Sequence, residues 1–142
     1  MMTMCSRVIK RSSLSRHVRR RAVAAVEFAV CLPVLVLLVF GSIEASSFIF
    51  LKQSLSVACY EAVREASQAD ATADTATAKA VEILDSRQVN DFEIRFPDGV
   101  AGLERGQQCV CEVSAPTHSN SPLAGDFISN RMLTARVVML KE

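Results

Sequence analysis

Residues 22–43 read AVAAVEFAVCLPVLVLLVFGSI, which is apolar except for one acid, Glu27, and they follow directly on Arg19-Arg20-Arg21. A helix needs about 20 apolar residues to cross a hydrocarbon layer about 30 Å thick, and this stretch has that length. Seven basic residues and no acid precede it. Since Lys and Arg hold a short flank in the cytoplasm, we expect a single span with the N-terminus inside and the C-terminal part outside.

The chain is therefore expected to have three parts. Residues 1–21 form a basic cytoplasmic leader, 22–44 a transmembrane helix, and 45–142 an extracytoplasmic domain. The outer part carries nine basic and thirteen acidic residues, a net charge of −4, so the near-neutral whole chain hides two opposite halves. The basic leader lies close to the span, where it acts as a topology signal and contacts anionic lipids. Nucleic-acid binding is not expected.

A removable secretory signal is the alternative interpretation of the same stretch. Signal peptides have an apolar region of 7–15 residues and a small-x-small cleavage site. Residues 22–43 are longer, contain Pro33, and end in Ile43-Glu44-Ala45, a poor match to such a site. The arginines also lack the further pattern of a twin-arginine signal. The sequence favours a retained span.

Beyond Glu44 the apolar residues become periodic and predict an α+β domain. Seven of them recur at helical steps, namely Phe48, Leu51, Leu55, Ala58 with Cys59, Ala62 and Ala66. The membrane helix is therefore expected to continue to about Ser67. A second helix is predicted to start at a cap formed by Asp74 or Thr75 and to run through Arg87, with Ala76, Ala80, Val81 and Leu84 facing inward. A flexible linker is the alternative for the polar segment 68–80.

Three strands are predicted after the second helix. Residues 91–96 alternate between polar and apolar and end at the turn Pro97-Asp98-Gly99. Gln108 to Ala115 and Leu133 to Leu140 are also strand-like, and a loop rich in Ser, Asn and Pro, from Pro116 to Pro122, follows the first of them. The three strands are expected to form a short antiparallel sheet against a helix.

The five cysteines are predicted to lie in three compartments. Cys5 is in the leader, Cys31 in the span, and Cys59, Cys109 and Cys111 outside. Disulfides persist in oxidising surroundings, so only the outer three are candidates for one. Cys109 and Cys111 are neighbours on one strand face, which rarely suits a disulfide, and a bridge from Cys59 to either of them is expected instead. Three small buried side chains are the alternative.

The sequence contains no enzyme signature. There is no P-loop, dinucleotide glycine pattern, nucleophile elbow or zinc-ligand spacing, and the two histidines, His17 and His118, are predicted on opposite sides of the membrane. No cofactor, no metal and no catalytic residue are expected. A thiol-redox or metal role for Cys109-x-Cys111 is a minor alternative that rests on the two cysteines alone.

Glu27 is the unusual residue of the span. A carboxylate at the centre of a bilayer costs on the order of 3 kcal/mol, so an intramembrane acid is a functional hypothesis by default. The structural alternative is that Glu27 reaches toward the headgroups and pairs with Arg20 or Arg21.

The context of Glu27 resembles a known family. RRAVAAVEFAVCLP at residues 20–33, followed by Phe40-Gly41-Ser42-Ile43-Glu44 and loosely by Glu61-Ala62-Val63-Arg64, is similar to the N-terminus of TadE-like proteins. These are minor pilin-like or pseudopilin components of tight-adherence (Flp) pilus assembly systems, which are related to type II and type IV secretion machinery. The resemblance covers about residues 20–66.

The resemblance implies a maturation step and partners. A prepilin peptidase removes the leader of such proteins and leaves Glu at the fifth mature position, which here implies cleavage between Ala22 and Val23. The residue before the cut is usually Gly, and Ala22 departs from that pattern. The implied partners are other pilin-like subunits, the Tad secretion and pilus machinery, the peptidase and membrane lipids. The implied location is the inner, or cytoplasmic, membrane of a bacterium.

A cleaved chain would assemble through charge. The freed amine of Val23 would be neutralised by Glu27 of a neighbouring subunit in low dielectric. Phe28 belongs to the same motif, small residues beside it let helices approach, and Pro33 permits a kink. An uncleaved single-pass anchor whose outer domain binds an extracytoplasmic partner without polymerising is the second function considered.

Overall fold

The computed structural model describes residues 14–68, 71–121 and 131–141, with the backbone alone for 14–19. Most of the basic leader, including Cys5, and Pro122 of the predicted loop lie outside the described residues. The chain divides after Gly41 into two compact units.

Helix α1 spans Leu14–Ala66 and contains Pro33. It ends one residue before the predicted end, and the predicted apolar stripe is its buried face. Leu51, Leu55 and Ala62 are at most 2% exposed, whereas Phe48 at the start of the stripe is half-buried. The part of α1 in the second unit is thus an amphipathic helix that contributes its apolar face to a core.

Helix α2 spans Ala73–Ser86, and its N-cap is Thr72 rather than the predicted Asp74 or Thr75. The hydroxyl of Thr72 accepts a hydrogen bond from the Thr75 amide, and the Thr75 hydroxyl accepts one from the Thr72 amide, both at 3.2 Å. This reciprocal capping box satisfies two backbone donors, which a cap further along the chain would leave open. Ala76, Ala80 and Leu84 are buried as predicted, but Val81 is half-buried because it lies at the side of that face.

The sheet has three antiparallel strands in the order β1-β2-β3. They are β1 (Glu93–Arg95), β2 (Gln108–Pro116) and β3 (Met132–Leu140). Strand β1 is shorter than the predicted 91–96, because it pairs only with residues 112–114 of β2. The predicted alternation extends beyond the pairing, since Phe92, Ile94 and Phe96 all pack against the core.

Central strand β2 carries the sheet's buried face. Cys109, Cys111, Val113 and Ala115 are fully buried, and they share a core with the apolar faces of α1 and α2. Beyond β2, residues 118–120 form a short 3₁₀ helix inside the segment predicted as a loop. Asn120 fixes this turn by donating from its side-chain amide to the backbone oxygens of Asn90 and Pro116 at 2.9 and 2.8 Å.

Lys141 connects the C-terminal end of the chain to the end of α1, a contact that the sequence analysis did not predict. Its side chain is buried, and its ammonium donates to the backbone oxygens of Ala66 and Gln68 at 3.0 and 2.6 Å. Ala66 is the last residue of α1, and Gln68 lies two residues beyond it. At a helix C-terminus the last backbone acceptors have no helical partner, and the helix dipole favours a cation. The residue after β3 therefore caps the end of α1.

Replacing Lys141 tests this cap. Lys141→Met keeps the stem but removes the ammonium that donates to both carbonyls, and we expect it to lower the free energy of unfolding by about 2 kcal/mol. Chemical denaturation of the detergent-solubilised chain measures the change. The control is Lys79→Met, which removes a surface ammonium 2.7 Å from Glu82. Equal stability of Lys141→Met and the wild type would contradict the capping role.

Candidate functional site

The apolar span is exposed along its whole length. Every described side chain from Arg20 to Ile43 is exposed, including Val30 at 70% and Leu37 at 68%. The helix has an apolar window with a mean hydropathy of 2.7, none of which is buried. Within the described residues this is the single helix long and apolar enough to cross a membrane. The apolar helix indicates a single-pass membrane anchor.

Glu27 has no charge partner within the described part of its own chain. None of the ion pairs there includes it, and Arg20 and Arg21 are likewise unpaired with it. The helix explains the separation: Arg21 is six residues away, about 9 Å along the axis, whereas side chains meet at steps of three or four. A carboxylate on this helix is thus presented outward among apolar side chains.

The other residues of the predicted motif surround Glu27 on the same helix. Ala22, Val23 and Phe28 are exposed, Val23 at 52% and Phe28 at 60%. The peptide bond between Ala22 and Val23 lies within the helical range of α1. A protease that grips an extended backbone therefore has to act on a locally unwound segment. Pro33 lies inside the helix, where it cannot donate to the carbonyl four residues before it.

Glu44 is a buried acid whose burial the sequence analysis did not predict. It is 7% exposed and accepts a hydrogen bond from the Ser121 hydroxyl at 2.6 Å. Its position four residues before Phe48 places it on the buried stripe of α1, a signal that the helical period already contained. The hydrogen bond ties α1 to the segment after the 3₁₀ helix.

A groove lies next to Glu44 on the same helix. It is open, encloses about 400 Å³, and is lined by Ser42, Ile43, Ser46, Ser47, Phe50 and Asn120. The hydroxyls of Ser46 and Ser47 already donate to backbone oxygens four residues earlier. Few polar groups remain to fix a ligand, so the groove does not build a specific small-molecule site.

Three of the cysteines meet in the core. Cys59, Cys109 and Cys111 are fully buried and are free thiols in this structure. The Cys59 thiol donates to the backbone oxygen of Cys111 at 2.9 Å. The side-chain hydrogen bond with Cys59, together with burial, raises the pKa of the Cys111 thiol, and burial raises the pKa of the Cys109 thiol. The predicted bridge from Cys59 remains a prediction. Its two candidate partners, Cys109 and Cys111, differ in their position relative to Cys59.

No metal-binding group is formed by the side chains of the described residues, as no three of the His, Cys, Asp and Glu residues cluster there.

Comparison with protein families addresses the segment around Glu27. Residues 22–64 match the family model of TadE-like protein. The match confirms the resemblance, and it covers the span, Glu27, Pro33 and the helix up to Arg64. No curated protein and no solved structure matches the chain.

The TadE-like match extends over less than a third of the chain, all of it on α1. The TadE-like family is a structural family associated with Tad pili and is not known as an enzyme family. The match thus indicates a Tad pilus-associated component with a membrane helix. Helix α2 and the sheet are not part of the matched segment.

Proposed function

We propose that this chain is a pilin-like or pseudopilin subunit of a Tad pilus or a related secretion assembly, and that it acts by packing α1 against α1-like helices of other subunits. Its N-terminus is cytoplasmic and its α+β domain extracytoplasmic, in the cytoplasmic membrane of a bacterium. The observation that carries the proposal is Glu27, an acid without an ion-pair partner in the described chain, on an exposed apolar helix within a TadE-like segment.

The first support is the energetic requirement of Glu27. An ionised carboxylate in a membrane needs a cation or hydrogen-bond donors, and the described chain supplies no cation within ion-pair distance. A neighbouring subunit cleaved before Val23 offers an α-amine at the corresponding depth. Pairing of that amine with Glu27 would fix the axial register between two helices.

The second support is the exposed face of α1 outside the span. Ile49, Val57 and Tyr60 are 60%, 38% and 47% exposed, and they lie at helical steps on the side opposite the buried stripe. Phe50, 51% exposed, borders them. Apolar side chains in one stripe of a helix suit packing against a second helix. This stripe lies within the TadE-like segment.

The alternative is a membrane anchor whose outer domain binds a partner without polymerising. It requires only a hydrophobic span and assigns no role to Glu27. The two functions therefore differ in whether the identity of the residues in the span matters.

Replacing the span separates them. We expect the tagged full-length chain, solubilised from membranes of a cell with a Tad system, to copurify with pilin-like subunits and pilus machinery. A variant with residues 23–43 replaced by leucines should insert but lose these partners. Copurification that is equal for both proteins would contradict assembly through α1 and favour the anchor.

A further inference from the structure

Cys59, Cys109 and Cys111 form a small thiol cluster between α1 and the sheet. All three are fully buried. Cys109 and Cys111 occupy equivalent positions on the inner face of β2, where they pair with Met139 and Val137 of β3. They differ in their distance from the third cysteine, which α1 brings onto this face.

The helix places Cys59 over one of the two strand cysteines. Its sulfur lies 2.9 Å from the backbone oxygen of Cys111 and 3.7 Å from that of Ala135. Ala135 pairs with Val113, so Cys59 sits toward the Val113 side of Cys111 and away from Cys109. Residues two apart on a strand are separated by about 6–7 Å. Since Cα atoms in a disulfide are usually no more than about 6.8 Å apart, one extra strand step decides which partner Cys59 reaches.

We propose that Cys59 and Cys111 form a disulfide that fastens α1 to the central strand β2, and that Cys109 stays a thiol. In the cell the bond requires the extracytoplasmic location given under the proposed function, because structural disulfides persist in oxidising compartments. The pair closes a loop between residues 52 positions apart in sequence. A crosslink over that separation restricts the conformations of the unfolded chain, and in the folded domain it joins the sheet to α1.

The reaction is a thiol–disulfide exchange with a disulfide-bearing oxidant. One cysteine thiolate attacks a sulfur of the oxidant, breaks its S–S bond and forms a mixed disulfide while one oxidant thiolate leaves. The second cysteine thiolate then attacks the first cysteine's sulfur and expels the second oxidant thiolate. Two electrons pass from the cysteine pair to the oxidant, and the two thiol protons end on its two sulfurs.

Burial determines when the exchange occurs. In the folded domain the oxidant cannot reach sulfurs that are fully buried, and thiolates are the attacking species. The bond therefore forms while the sheet assembles on α1, when both thiols are still accessible. Refolding in the presence of an oxidant should accordingly give far more crosslink than exposure of the folded chain to it.

The test is disulfide mapping of the full-length chain, denatured, reduced, and refolded in detergent with a buffer of reduced and oxidised glutathione. Mass spectrometry without reduction is expected to find one linked peptide, joining Cys59 to Cys111, in most of the protein. Two matched variants identify the partner. Cys109→Ala should retain the link, and Cys111→Ala should lose it, although the two alanines replace side chains of equal burial on one strand face.

The outcomes separate this proposal from the proposed function. Free thiols in the refolded wild type, or a dominant link from Cys59 to Cys109, would overturn the assigned pair whatever the topology. Because a variant can fail to fold, the circular dichroism spectrum of each variant is compared with that of the wild type, and the wild-type map alone decides between the two links.

A link formed on refolding but absent from protein taken from membranes would leave the pair intact and contradict the extracytoplasmic location. A reporter fused after Glu142 and active only outside the cytoplasm tests that location independently.

Discussion

Glu27→Gln is expected to abolish copurification with pilus components while leaving membrane insertion intact. Removing a charge from the span lowers the cost of insertion by up to about 3 kcal/mol, so the variant should insert at least as well as the wild type. The neighbour's α-amine, in contrast, loses its counter-charge. Breaking one side of a buried ion pair costs about 3–5 kcal/mol, which corresponds to an association about 100-fold weaker or more.

Matched variants on the same helix isolate the charge. Val26→Gln introduces the same amide one position earlier at an exposed site, and it should leave the partners bound. Glu27→Asp keeps the charge on a shorter side chain and should retain part of the association. The amount of each partner recovered per inserted chain is measured by quantitative mass spectrometry. Unchanged recovery with Glu27→Gln would mean that the carboxylate has no assembly role.

Ala22→Gly is expected to increase leader removal. A prepilin peptidase that cuts before Val23 needs an extended backbone at its site, whereas these residues lie within α1. Glycine lowers helix stability by about 1 kcal/mol relative to alanine and reaches more extended conformations. If helix opening limits cleavage, the rate should rise by about fivefold, since 1.4 kcal/mol corresponds to a factor of ten.

The measurement is the mass of the N-terminal peptide after pulse labelling in cells that contain the peptidase. Wild-type chains should mature slowly to an N-terminus at Val23, and Ala22→Gly chains faster. Ala24→Gly is the matched variant, since it loosens the same helix turn behind the cut. A similar rise in its cleavage rate would assign the effect to helix opening, and an unchanged rate would assign it to the residue before the cut. Chains that keep the leader in both the wild type and Ala22→Gly would contradict processing and favour an uncleaved anchor.

The helices were more predictable than the details of their ends. The period of apolar residues determined the buried face of α1 because burial of that face, and not local propensity, stabilises a long amphipathic helix. The start of α2 was predicted two or three residues late. Its cap uses Thr75 in the position where Glu or Gln is the usual signal, so the reciprocal hydrogen bonds with Thr72 were not evident from sequence.

Contacts between distant parts of the chain were the least predictable. Lys141 and Ser121 reach residues of α1 that lie 75 and 77 positions earlier, and no local pattern encodes such a pairing. The two cysteines of β2 show the same limit. Alternation placed both on the inner face, but only the packing of α1 on the sheet distinguishes Cys111 from Cys109.

The candidate role of Glu27, in contrast, could be predicted from the sequence. An acid in an apolar stretch is costly wherever the helix is placed, so composition alone marks Glu27 as a candidate functional residue. The structure adds that Arg20 and Arg21 do not pair with it. Under the proposed function, the partner of this charge lies on another subunit.

Zero-length crosslinking of Glu27 tests the charge pair between subunits most directly. A membrane-permeant carbodiimide joins a carboxylate to an amine only when the two are in contact, and it is applied to intact membranes before the complex is purified. We predict an amide between the Glu27 side chain and the N-terminal amine of a neighbouring pilin-like chain, absent in Glu27→Gln. Assembled complexes that contain the chain but yield no such linked peptide, with Glu27 recovered unmodified or modified without an amine partner, would contradict it.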